Sequence, residues 1–159
     1  MQRIVYTSRE VEHFTLEKLT SMLKKIRPIN QAAELTGVLF YYQGLFLQVL
    51  EGSALAIDST MARILADARH TDIAVLARCT SKDGMRIFPD WRMGFFHMTA
   101  IESLFEGGLV SNDLDEMQRL LSEAECADPV AQMLRAFWRE NRSLFQSPVL
   151  PPHIRGVRS

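Results

Sequence analysis

Two cysteines, six prolines and eight glycines in 159 residues leave little material for an unusual scaffold. Cys79 and Cys126 show no metal-binding or redox spacing, which excludes a disulfide framework and points to a reducing, cytoplasmic setting. An excess of charge of one sign is missing too. Eighteen Lys and Arg against nineteen Asp and Glu give a net charge of -1, so the electrostatic footprint of a nucleic-acid or membrane-surface protein is absent. The longest apolar stretches, around Gly37–Phe40 and Leu45–Leu50, fall far short of the roughly 20 residues of a membrane span. The start, Met-Gln-Arg-Ile-Val-Tyr, reads as a strand and not as a signal peptide. His13, His70, His97 and His153 lie on separate segments without ligand spacing, so no metal site is expected. No Gly-rich phosphate loop, nucleophile elbow or tight carboxylate pair is present, so no enzyme of a familiar class is visible.

What is there is an ordinary globular chain, 47% hydrophobic and 23% charged, long enough for one domain plus a short extension. Ile4-Val5-Tyr6 opens a strand that ends at Thr7-Ser8-Arg9. From Thr15, Leu16, Leu19, Met22, Leu23 and Ile26 fall at helical spacing, and Pro28 is expected to end that helix. Strands Glu34–Tyr42 and Leu45–Leu50 flank Gln43-Gly44, a tight hairpin. A second helix runs to about His70, with Ile57, Met61, Ile64 and Leu65 facing inward. Ile73–Cys79 and Trp91–Met98 read as the last two strands. The order β-α-β-β-α-β-β is that of an α+β, ferredoxin-like sheet with both helices on one face. Beyond it, Asn112 or Asp113 can cap a helix carrying Leu114, Met117, Leu120 and Leu121. Asp128-Pro129 starts another helix, with Val130, Met133, Leu134, Phe137 and Trp138 as its stripe. These amphipathic helices need a partner, and the open face of the sheet is the expected one.

Gln48 is the oddest residue, an amide inside Leu45-Phe46-Leu47-Gln48-Val49-Leu50. Left unpaired and buried it would cost on the order of 1–3 kcal/mol, so it needs partners, an edge position or water. Taken singly, Tyr6 is explained by packing, Asn30 by capping the first helix, and Arg69 with His70 by the dipole at the end of the second. Trp91 and Met93, two apart on a strand, would share a face. Taken together, Tyr6, Asn30, Leu35-Thr36-Gly37, Phe46-Leu47-Gln48-Val49-Leu50-Glu51-Gly52, Asp67-x-Arg69-His70 and Trp91-Arg92-Met93-Gly94 closely resemble the BLUF family of flavin-binding blue-light sensors. The resemblance covers roughly residues 2–98. Ile26, Pro28-Ile29 and Glu34 depart from the family pattern, at positions of secondary flavin contact.

The resemblance implies non-covalently bound FAD between the two helices, excited by blue light. It makes Tyr6 the electron and proton donor and Gln48 the bridge to the flavin, whose rearrangement changes the hydrogen bonds. It assigns Asn30 to the carbonyl and imide edge of the ring, Arg69 and His70 to its opposite end, and Arg63 to the phosphates. Phe46 and Ile64 would pack on the ring, and Trp91 with Met93 would relay the signal. The implied organisation is a photosensor over residues 1–100, a helical transmitter and oligomerisation extension over 101–147, and a mobile tail over 148–159. With no effector segment left over, the expected output is a change of protein contacts in a homo-oligomer, dimer or larger, with a downstream protein that the sequence does not name. The competing expectation is a light-inactive ferredoxin-like module that binds a partner or a small ligand.

Overall fold

Side chains alternate across a strand, and in this chain both alternating sets are buried. Ile4 and Tyr6 of β1 (Gln2–Glu10) face one way, Arg3 and Val5 the other, and all four are shielded from solvent. A sheet with two buried faces needs cover on both. The computed structural model, which describes residues 1–97, 114–124 and 127–146, supplies it from two pairs of helices.

The front pair is α1 (Leu16–Ala32) and α2 (Ala54–Ala66). Thr15 caps α1, its hydroxyl accepting from the Lys18 N–H, and Ser53 caps α2 through the Ala56 N–H. Pro28 does not end α1. A proline removes one helical hydrogen bond, on the order of 3 kcal/mol, yet the turn that follows is pinned from outside. Arg27 donates to the Met93 carbonyl and Asn30 to the Arg92 carbonyl. The helix closes four residues later in a Schellman motif, with Leu35 N–H on Asn30 O, Glu34 N–H on Gln31 O, and Glu34 in the left-handed region. Asn30 therefore lies inside the last turn and not beyond it. α2 also differs from the sequence reading. Asp67 turns extended and accepts the Arg69 N–H, so the helix stops before Arg69, and Leu65 is exposed.

Five strands form one sheet in the order β4-β1-β3-β2-β5, from β2 (Thr36–Tyr42), β3 (Leu45–Gly52), β4 (His70–Thr80) and β5 (Gly94–His97). β1 is antiparallel to β3 and β4, β2 is antiparallel to β3, and β5 adds parallel to β2. This is the expected ferredoxin-like α+β arrangement with one extra edge strand. β3 is central, and Gln48 pairs with Tyr6 on one side and Leu39 on the other. Gly37 lets β2 approach closely: a Cβ there would lie 1.9 Å from the Val49 carbonyl oxygen.

The back face carries the second core. Val5, Val38, Phe40, Val49 and Phe96 pack against α3 (Leu114–Glu123) and α4 (Pro129–Gln146) through Met117, Leu121, Val130, Leu134 and Trp138. Trp138 meets Phe96 edge-on at 5.8 Å between ring centres, and Phe137 meets Phe40 at 5.0 Å. The helical extension thus covers the other face, as its stripe predicts. The expected Asn112 or Asp113 cap and the tail over 148–159 lie outside the described residues. No described helix is long and apolar enough to cross a membrane.

Candidate functional site

Between α1, α2 and the front of the sheet lies a cavity of about 480 Å³, counting its open mouth. Its floor is Tyr6 and Ser8 of β1, Leu39 of β2, and Phe46 and Gln48 of β3. These are the alternating residues that β1 and β3 aim at the helices. Met22 and Ile26 of α1 and Ile64 of α2 form apolar walls, with Phe14 closing one side. Asp67, Arg69 and His70, from the turn into β4, complete the polar rim.

The floor holds a directed hydrogen-bond chain. The Tyr6 hydroxyl donates to Gln48 Oε1, and Gln48 Nε2 donates to Met93 Sδ at 3.4 Å. The central place of β3 rules out an edge position for Gln48, and its partners are these two side chains. Only one of the two amide N–H groups is used toward sulfur, a weak acceptor, so the amide is firmly held at its oxygen end and loosely at its nitrogen end. Burial, and after it the nearby Asp67 charge, push the Tyr6 phenol above its usual range. Tyr6 therefore keeps its proton at neutral pH. Asp67 keeps its own charge: hydrogen bonds from Arg69 hold its carboxyl down to about 2.

Among the expected site residues, Tyr6, Phe46, Gln48, Ile64, Arg69 and His70 line this cavity together. Asn30 and Arg63 do not. Asn30 is buried with its amide on the Arg92 carbonyl at 2.6 Å, and Arg63 bonds to Thr60 one turn back on α2. Trp91 and Met93 do not share a face. β5 begins only at Gly94, so they sit in the bend before it, where the two-residue period does not hold. Met93 joins the front core beside Gln48, while Trp91 turns to the back core and stacks on Phe88 at 5.3 Å.

Ser8 is a site residue that sequence reasoning misses, because a serine near a strand end reads as turn. Its Oγ is the one buried side-chain oxygen or nitrogen among the described residues without a hydrogen-bond partner. It sits where the β1–β4 ladder is irregular, between Thr7 and Arg9. A buried hydroxyl left unpaired beside a cavity fits a site built for a ligand with polar edges. Apolar walls for a flat ring, an amide and a phenol on the floor and a charged rim suit a flavin. No group of three or more residues able to hold a metal ion occurs among the described residues.

Comparison with known proteins agrees with this geometry. Residues 1–94 match the family described as BLUF, sensors of blue light using FAD. Over 105 residues the chain is 32% identical to the photoactivated adenylate cyclase subunit beta of Euglena gracilis, covering 64% of this chain and 12% of that protein. The chain thus spans about an eighth of the length of that curated relative. A bacterial light-regulated adenylyl cyclase superposes with a TM-score of 0.58 at 30% identity, over 91% of this chain and 35% of its own. The dark state of BlrB, a BLUF protein, shares the fold with a TM-score of 0.60 at 24% identity, over 86% of this chain and 96% of its own.

Proposed function

The chain belongs to the BLUF family of blue-light sensors that use FAD, and we propose that it senses light through Tyr6 and Gln48 and answers by changing its protein contacts. The single observation that carries this reading is the Tyr6–Gln48–Met93 hydrogen-bond chain along the cavity floor.

Bound flavin supplies blue-light absorption and an excited state that accepts an electron and a proton. Everything else falls to the chain. Tyr6 is the donor: a buried, protonated phenol has both an electron and a proton to give, and in the dark it gives neither. Gln48 is the relay. Its amide has an acceptor at one end and donors at the other, so reversing it exchanges what it offers to Tyr6 and to its second partner. Either rotation or tautomerisation accomplishes this, and the weak bond to Met93 opposes it little. Phe46 and Ile64 hold the ring by packing, Ser8 offers it a hydroxyl, and Arg69 and His70 stand at the rim.

Output follows from what Met93 is attached to. Its carbonyl holds Arg27 of α1, and the residues before it run through Trp91 to the back core beneath α4. A change at Gln48 is thereby offered to both layers, and altered packing of α3 and α4 changes the surface shown to a second copy or to a downstream protein. We place this protein in the cytoplasm, as a sensor with a non-catalytic output.

The test is direct. Purified protein should be yellow, should shift slightly to the red under blue light, and should revert in the dark. Tyr6→Phe should retain the flavin and lose the shift, and Gln48→Leu should do the same at similar volume. A colourless protein that takes up no added FAD would sink the sensor reading, and a normal photocycle in Tyr6→Phe would remove Tyr6 from its role.

A further inference from the structure

One side of the ring cavity is closed by a short connection. Residues 11–15 join β1 to α1, and of these Phe14 alone lines the cavity. Phe14 also lines an open surface cleft beside it, with Met22 and Arg69 as the other shared walls. Its buried ring therefore stands as a partition between cavity and cleft. A connection like this is ordinarily loose, and Val11, Glu12 and His13 are indeed exposed. One carboxylate fastens it. Glu10 Oε2 accepts the Phe14 N–H at 2.8 Å and the Tyr41 hydroxyl at 2.8 Å, and Glu10 Oε1 lies 3.3 Å from His13 Nδ1. Phe14 meets Phe46 of the cavity floor edge-on at 5.3 Å between ring centres, and Tyr41 meets the same ring at 4.9 Å. Both main partners of the carboxylate are thus held against one floor residue. Room for the carboxylate comes from Gly44 of the hairpin, where a Cβ would lie 2.9 Å from Glu10 Oε1. Burial alone would raise the Glu10 pKa, but the bonds from Phe14, Tyr41 and His13 outweigh it and keep the acceptor ionised at neutral pH.

We propose that Glu10 is a positioning residue that clasps Phe14 shut across the cavity, so that the cavity exchanges its flavin only when this clasp opens. The inference rests on the flavin-sensor reading. The fold itself does not require the clasp. The backbone of β1 is already laddered to β3 as far as Arg9 and to β4 as far as Glu10, and α1 carries its own cap in Thr15. What the Glu10 side chain adds is the seat of Phe14. Such a clasp has its own kinetic mark: a residue that touches the ligand alters exit, whereas one that holds a partition alters entry and exit together.

The experiment is stopped-flow mixing of the flavin-free protein with FAD for the entry rate, and dilution of the loaded protein for the exit rate, both read by flavin fluorescence. Glu10→Ala should raise both rates roughly tenfold, as expected for lost bonds to a charged acceptor, and leave their ratio nearly unchanged. Glu10→Gln keeps an oxygen able to accept both bonds and should restore most of the wild-type behaviour. Tyr41→Phe removes one anchor and leaves Phe14 bonded, so its rates should fall between. Faster exit with unchanged or slower entry in Glu10→Ala would make Glu10 a stabilising residue only and overturn the clasp. Amide hydrogen exchange of the flavin-free protein is the second readout. The Phe14 N–H should be protected in the wild type and exchange roughly tenfold faster in Glu10→Ala. Equal exchange in the two proteins overturns the assignment as well. Failure of the sensor reading looks different: the wild type would take up no FAD, and the gating role would fall with it even where the Phe14 amide stayed protected.

Discussion

At the scale of single residues, the front face is defined by one amide that is satisfied and one hydroxyl that is not. The amide is legible in the sequence: a glutamine in so apolar a strand demands a partner, and Tyr6 provides it. The hydroxyl is not, because nothing in the sequence tells a buried Ser8 from a solvated one. That difference yields a prediction with opposite signs in two states. In the flavin-free protein, Ser8→Ala removes an unsatisfied buried group whose burial costs about 1–3 kcal/mol, so thermal stability should hold or rise. In the loaded protein it removes a hydrogen bond to the ligand, worth roughly 1 kcal/mol, so flavin affinity should fall about fivefold. Melting curves with and without flavin check both. A loss of stability in the flavin-free protein would show that Ser8 serves packing and not the ligand. Trp91 and Met93 teach the converse lesson. Their two-residue spacing suggests one face only if they belong to a strand, and the strand starts at Gly94, after both of them.

Among the elements, α1 departs most from what its sequence suggests. Pro28 reads as a stop because local rules see a missing donor and a crowded preceding residue. They do not see Met93 and Arg92, more than sixty positions away, whose carbonyls hold the turn on either side of the proline. The remaining front elements are readable where their evidence is local: the Ile4-Val5-Tyr6 run of β1, the helical spacing from Thr15 and the Gln43-Gly44 hairpin. β2 owes its close seat on β3 to Gly37, and Gly37→Ala tests this. Its new methyl would meet the backbone oxygen of Val49, and central strands cannot withdraw without breaking the ladder. A destabilisation of about 3 kcal/mol is expected, read as a lower urea midpoint at unchanged slope. Flavin binding should weaken in parallel, since β3 carries the floor of the cavity.

For the whole molecule, the decisive object is a buried ionic cluster on the back of the sheet. Arg3 of β1 donates to Glu51 of β3 at 2.7 Å, to Asp128 and to the Met85 carbonyl. Glu51 also accepts the N–H groups of Ile87 and Phe88, and Asp128 accepts the Ala131 N–H as the cap of α4. Burial alone would lower the Arg3 pKa, but the bond to Glu51 and the charges of Glu51 and Asp128 reverse this and push it up. The cluster ties the start of α4 to the segment that leads to Trp91 and Met93. Only the Asp128 cap of α4 is legible beforehand, and the ion pairs are not. Arg3 looks like the polar half of an alternating strand, Glu51 like a strand end, and Asp128 lies 125 positions from its partner. Stranding a buried charge is costly, so Asp128→Ala should lose about 3–5 kcal/mol in denaturant melts. Arg3→Met with Asp128→Leu, which removes both charges, should lie much closer to the wild type. If the single variant were as stable as the double, the cluster would not be what seats α4.

The parity of β3 has an evolutionary consequence. Gln48 is an even position that faces the ligand cavity, and Glu51 an odd one that faces the ionic cluster. Deleting or inserting one residue between the hairpin and Gln48 would invert both together, turning the amide toward α4 and the carboxylate toward the flavin. Drift in this strand is therefore confined to substitutions, and length changes must be absorbed before Leu45 or after Gly52. The cavity floor and the back-face ionic cluster are inherited as one reading frame.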